Sequence, residues 1–220
     1  MFDFDGVIAN SEPLHCEAFQ DVLAGVGVDL SRPDYYARYL GFDDVGVFKA
    51  VLEDRGLQAP AGRIAELVAA KAQRLEQLEE GRSILFPGAA AAIRRLHDEL
   101  PLAIASGALG AEIRRVLGRE QLTACFRTIV SAEDTPRGKP AADPYLRAVA
   151  LLNGHLASPV VPADCAAVED SPWGLQSARA AGLRTVAITH TYARDALDAE
   201  IVISSLDELR LDQLQQRFGV

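Results

Sequence analysis

From about residue 84 onward the chain repeats one pattern, a short continuous apolar run followed by an amphipathic stretch. Residues 102–106 (LAIAS), 127–131 (RTIVS), 166–169 (AAVE), 184–188 (RTVAI) and 201–203 (IVI) read as strands. Residues 89–99, 111–117, 143–152, 172–181 and 206–217 read as the helices around them, with Asp143 as a cap ahead of Pro144 and Gly182 as a stop. Strands that are apolar throughout and separated by helices must be covered on both faces. That constrains the fold to a mainly parallel sheet of the α/β class, Rossmann-like and doubly wound.

Residues 12–81 break this pattern and read almost wholly as helix. A first helix opens at Ser11, with Pro13 in its first turn and Leu14, Ala18, Phe19, Val22 and Val26 on one face. Residues 43–55 and 61–80 supply further helices, the latter rich in strong helix formers. The expected organisation is a Rossmann-like core of residues 1–10 and 82–220 with an α-helical domain of residues 11–81 inserted in it. Linkers are expected near Ala9–Ser11 and Gly81–Leu85. Phe2, Asp3 and Phe4 must end the first strand, which has only two residues before Asp3. Either that strand is clipped or the start of the chain is assigned a few residues late.

Composition narrows the function. The 220 residues are 49% hydrophobic and 24% charged, which is globular, and no apolar run is long enough to span a membrane. The formal charge is −9, so a broad nucleic-acid or anionic-membrane surface is not expected. The N-terminus has neither a basic nor an apolar leader region, and Cys16, Cys125 and Cys165 are too scattered for a disulfide framework or a CxxC site. A cytoplasmic protein is expected, and nothing demands an oligomer, so a monomer is expected.

In a doubly wound sheet, ligands sit at the carboxyl ends of the strands. Those ends carry Asp3-Phe4-Asp5-Gly6, Ser106-Gly107 and Glu169-Asp170-Ser171, and the loop after the third strand carries Gly138-Lys139-Pro140. Clustered carboxylates repel unless a proton or a metal compensates, and oxygen ligands without His or Cys select magnesium. Asp3 can then act as a nucleophile towards phosphorus, with the metal and Lys139 offsetting the repulsion of a phosphate dianion. Asp5 can protonate the leaving oxygen and later activate water. Gly6 lets the backbone pass close to a substrate, while the Ser106 hydroxyl and the Gly107 amide, opening a helix, can bind phosphoryl oxygens. Each feature has a plainer reading as a turn, a helix cap or a solvated lysine; together they point to phosphoryl chemistry.

FDFDG at 2–6, IASG at 104–107, GKP at 138–140 and VEDS at 168–171 resemble, in order, the four motifs of the haloacid dehalogenase-like phosphohydrolases. The stretch DGVIANSEPLH at 5–15 resembles the subgroup of β-phosphoglucomutase and phosphoglycolate phosphatase. The resemblance implies a phosphoaspartyl intermediate on Asp3 and acid–base work by Asp5. It implies magnesium held by Asp3, the Asp5 carbonyl and Asp170, with Glu169 in or beside that shell. It also implies that the helical insertion is a cap domain closing over the site. Asn10, between the domains, and His15, one helical turn past Ser11, are candidates for substrate contact along with Gly6. His97, His155 and His190 read as structural or exposed.

The expected activity is magnesium-dependent hydrolysis of a small phosphorylated metabolite, a sugar phosphate or a phosphoglycolate-like compound. The alternatives are a phosphomutase, a catalytically silent member of the fold and a receiver-like module phosphorylated on Asp. A mutase must grip the non-reacting phosphate with a cap cation. The corresponding stretch here, Gly41-Phe42-Asp43-Asp44, ends in an acid where the resemblance implies an Arg, leaving Arg38, Lys49 and Lys71 as substitutes.

Overall fold

A computed structural model describes residues 1–58 and 60–219. The chain divides into two compact units, one of Met1–Asn10 with Ile84–Val220 and one of Ser11–Ser83. No helix among the described residues is long and apolar enough to cross a membrane.

The second unit is helical. It contains α1 (Glu12–Ala24), a short α2 (Arg32–Asp34) running into a π-helical turn at Tyr35–Tyr39, α3 (Asp44–Asp54) and α4 (Ala61–Glu79). Local chemistry sets the starts: the Ser31 hydroxyl accepts from the Asp34 amide, and the Asp43 carboxylate accepts from the Gly46 amide. Phe19 is central to its core, with ring centroids 5.1 Å from Phe48 and 5.7 Å from Tyr35.

The first unit is α/β. In chain order it holds α5 (Ala89–Glu99), β1 (Leu102–Ala105), α6 (Gly110–Arg119), β2 (Phe126–Val130), α7 (Asp143–Asn153), β3 (Ala166–Glu169), α8 (Pro172–Ala180), β4 (Arg184–Ile188), β5 (Ile201–Ile203) and α9 (Leu211–Phe218). β1 pairs with β2, and β3 with β4 and β4 with β5, all parallel. The N-terminal segment joins the two sets, because Phe2 bridges Ile104 on one side and Val168 on the other, again in parallel. The Phe2 amide donates to Ala103, the Asp3 amide to Val168, and the terminal amine to the Ala166 carbonyl at 2.7 Å. The order is therefore β2, β1, Met1–Asp3, β3, β4, β5. The chain winds outward from the middle in both directions, and Asp3 leaves the sheet at that switch point. Buried Ala105, Val130, Tyr145, Ala148 and Ala167 pack α7 against the sheet.

Three sequence expectations change. The helix after β1 starts at Gly110, not beside Gly107, so Gly107 lies in the bend before it. Asp143 does not cap α7; its carboxylate pairs with Arg137 at 3.0 and 2.8 Å, and Ala142 stands at the cap position. The last helix is broken, with a 3-10 turn at Leu206–Glu208 ahead of α9. Ser205 accepts from the Asp207 amide to form that turn, and Leu209 is buried in an extended conformation between the pieces.

Candidate active site

Asp3 sits where the central segment leaves the sheet. Its Oδ1 accepts from the Phe4 amide at 2.7 Å, and its Oδ2 lies 2.9 Å from Lys139 Nζ. The loop after β2 brings Lys139 in, with its side chain only 7% exposed. The same ammonium lies 2.5 Å from Oε1 of Glu169, the last residue of β3, and 5.3 Å from the ring centroid of Tyr145. The buried Tyr145 hydroxyl, from α7, donates to that Oε1 at 2.5 Å. Asp170 is the next residue, and one carboxylate oxygen each from Asp3, Glu169 and Asp170 lie within 4.8 Å of one another.

Two glycines make room for these carboxylates. Gly6 has φ +73°, and a Cβ there would fall 1.8 Å from Asp170 Oδ2. A Cβ on Gly174, in the first turn of α8, would fall 1.9 Å from Glu169 Oε2. The helix itself is capped by Ser171, whose hydroxyl accepts from the Gly174 amide.

Burial opposes charge throughout this cluster. It pushes Glu169 up to about 8 against the pull of Lys139. It also pushes Asp170 up to about 7; the Asp3 charge adds to the rise, and a hydrogen bond from Thr191 opposes it. Burial likewise works against the Lys139 ammonium, but Asp3 and Glu169 more than offset it and hold Lys139 above the usual lysine range. When ionised, three carboxylates face one ammonium, a formal surplus of two negative charges. Glu169 Oε2 is buried with no hydrogen-bond partner. An all-oxygen donor set with that surplus and an unsatisfied carboxylate oxygen fits a hard divalent cation.

The structure thus brings Asp3, Lys139, Glu169 and Asp170 together. Asp5 is half-buried two residues beyond Asp3, in a turn closed by the Gly6 amide on the Ala9 carbonyl. Ser106 is buried at the end of β1, the strand beside Asp3, and its Oγ accepts from the Ala108 amide at 3.2 Å. Gly107 faces open space. Asn10 is exposed, its amide donating to the Ile84 carbonyl. His15 belongs to the helical unit, where its Nδ1 lies 2.7 Å from Lys71 Nζ. Lys71 also pairs with Asp44 at 2.8 Å, and Arg38 with Asp54 at 2.6 Å, while Lys49 is exposed. Sequence reasoning overlooked Tyr145 and Thr191. His190, read there as structural or exposed, lies 2.8 Å through Nδ1 from the Gly6 carbonyl. Glu133, in the turn after β2, accepts from the Gly110 amide at the start of α6.

Residues 1–188 match the model of a family described as haloacid dehalogenase-like hydrolase. The chain belongs to that family. Within it, the chain is 34% identical over 201 residues to protein CbbY of Rhodobacter capsulatus, covering 88% of this chain and 86% of that protein. It is 32% identical over 219 residues to hexitol phosphatase B of Escherichia coli K12, covering 97% and 95%. The solved structure of CbbY from Rhodobacter sphaeroides in complex with xylulose-(1,5)bisphosphate superposes with a TM-score of 0.81 at 27% identity, over 94% of each chain. The chain is accordingly an enzyme of the haloacid dehalogenase-like hydrolases, and the clustered carboxylates and lysine are its candidate active site.

Proposed function

We propose that the protein is a magnesium-dependent phosphatase of a small phosphorylated metabolite, a sugar phosphate or a phosphoglycolate-like compound, acting through a phosphoaspartyl intermediate on Asp3. The observation that carries this reading is the convergence of Asp3, Glu169 and Asp170 on one point, with Lys139 bridging Asp3 and Glu169. The names of the relatives support it, since one is a hexitol phosphatase and another is solved with a sugar bisphosphate.

In the first half-reaction an Asp3 carboxylate oxygen attacks phosphorus. The bond to the ester oxygen breaks, and that oxygen takes a proton from Asp5. In the second half-reaction Asp5 takes a proton from water, the water oxygen attacks phosphorus, and the bond to Asp3 breaks to release phosphate. Lys139 fixes the Asp3 carboxylate, together with the Phe4 amide, and neutralises phosphoryl charge. Ser106 and the Gly107 amide receive phosphoryl oxygens. Asp3, Asp170 and the Asp5 carbonyl, with Glu169 beside them, would hold magnesium, which when bound would supply the charge that lets an anionic nucleophile approach a phosphate dianion. Glu169 also acts through Lys139, with which it pairs at 2.5 Å.

Ion pairs inside the helical unit favour hydrolysis over mutase chemistry. Of the three substitute cations, Lys71 is paired with Asp44 and Arg38 with Asp54, which leaves the exposed Lys49 as the one without an ion pair among the described residues. We assign the helical residues 11–81 the cap role, selecting the substrate, with Gly6, Asn10 and His15 as contact candidates. The test is phosphate release across a panel of phosphorylated metabolites, with magnesium and then with chelator. Release that needs magnesium is expected, and Asp3→Asn should abolish it while circular dichroism stays unchanged. Near-normal turnover in that variant would remove the nucleophile assignment.

A further inference from the structure

His190 lies in the loop after β4, anchored to the sheet by the preceding Thr189 amide, which donates to the Ile203 carbonyl. Its ring stacks on Phe86 with centroids 3.7 Å apart and planes at 20°. Its Nδ1 lies 2.8 Å from the Gly6 carbonyl oxygen. A carbonyl only accepts, so Nδ1 carries the hydrogen, and in the neutral ring Nε2 does not. Phe86 is fixed in turn, its amide donating to the Ile8 carbonyl at 3.0 Å, and Leu85 bridges Ala9. The turn from Asp5 to Ala9 is therefore clasped by the Phe86 backbone and by the His190 side chain.

That turn has little freedom on its other side, because Gly6 lies flush against the Asp170 carboxylate. Thr191, the neighbour of His190, hydrogen-bonds the same carboxylate. Two consecutive residues of one loop thus hold two parts of one site, the Gly6 backbone and the Asp170 side chain. Asp5 is bonded directly to Gly6, so displacement of the Gly6 carbonyl displaces Asp5 relative to Asp3.

We infer that His190 is a positioning residue of this enzyme: through the hydrogen bond from Nδ1 to the Gly6 carbonyl it sets Asp5 for proton transfer. This rests on the acid–base role of Asp5 proposed above. A histidine present only for packing would need its ring alone, and the donor separates the two cases.

His190→Phe keeps the stack and removes the donor, while His190→Asn places an amide N–H near the Nδ1 position and removes the stack. His190→Phe should lower kcat by about tenfold with KM changed less than about twofold, because the lost contact acts on the chemical step. His190→Asn should recover kcat to within about threefold of the parent. A parent-like kcat in His190→Phe, or equal losses in both variants, would overturn the inference. Nitrogen-15 spectra of the histidine ring in the unaltered protein test the contact without turnover or a variant. A fixed Nδ1–H tautomer is expected, and an Nε2–H form or a tautomer mixture would refute it. Failure of the phosphatase reading shows instead as absence of phosphate release by the parent, whatever the tautomer.

Discussion

Gly6 and Gly27 share a backbone conformation, with φ of +73° and +75°, and differ in what a side chain there would meet. A Cβ on Gly27 finds nothing within 4 Å, whereas one on Gly6 falls 1.8 Å from Asp170 Oδ2. Gly27→Ala should therefore cost only the left-handed strain of an L-residue, about 1–2 kcal/mol, and leave turnover intact. Gly6→Ala adds the displacement of a candidate metal ligand and should lower turnover at least about tenfold. Urea unfolding and initial rates on both variants separate the two effects, and equal rates would mean that the Gly6–Asp170 contact has no catalytic consequence. At this scale the sequence exposes residues whose chemistry is odd for their place: an Asp, Lys or Glu-Asp pair at the end of an apolar strand is legible without coordinates. Tyr145, His190 and Thr191 are not legible. They reach the site through one hydrogen bond each, made across the fold, and neither a histidine after a strand nor a tyrosine inside an amphipathic helix has a spacing that signals this.

The strands show why elements were easier to read than their joints. The runs at Ala166–Glu169, Arg184–Ile188 and Ile201–Ile203 are strands over the residues the apolar pattern marks, because a parallel sheet covered by helices draws its strands mainly from apolar residues. Helix edges follow local hydrogen bonds instead, which is why Gly107 lies outside α6 and why the final helix breaks at Leu209. The central segment is the extreme case, since Phe2 alone bridges the strands on both of its sides while the Met1 and Asp3 main chains bond towards β3. A partly open pocket of about 220 Å³ beside it is lined by residues including Met1, Phe2, Leu102, Cys165 and Ala166. Phe2 is buried, with its ring edge-on to Phe126 at 6.2 Å. Phe2→Ala would remove a buried ring from the middle of the sheet and should cost about 3–5 kcal/mol. Phe2→Leu, which keeps most of the volume, should cost less than about 1.5 kcal/mol. Denaturant unfolding reads both, and a Phe2→Ala loss no larger than that of Phe2→Leu would mean that the ring does not anchor the segment.

Across the whole molecule, buried ionisable groups couple stability to pH in opposite directions. Asp170 and Glu169, pushed up to about 7 and about 8, keep protons in the folded protein that the unfolded chain gives up from about pH 4. The folded state then binds more protons, so in the absence of metal these two groups lower stability as pH rises from about 4 to about 8. The terminal amine of Met1, which burial lowers to about 6, does the reverse. It releases a proton on folding, so its penalty fades as pH rises from about 6 to about 8. Magnesium separates these contributions. It binds carboxylates only after their protons leave, and it does not engage the amine at the other end of the sheet. The rise in Tm on adding magnesium should therefore be larger at about pH 8 than at about pH 5, where protons compete for Asp170. The amine enters with and without the ion alike and cancels from the difference. Asp170→Asn should remove most of the rise at the higher pH. Equal Tm shifts at the two pH values, or a full shift retained in Asp170→Asn, would place the cation somewhere other than among Asp3, Glu169 and Asp170.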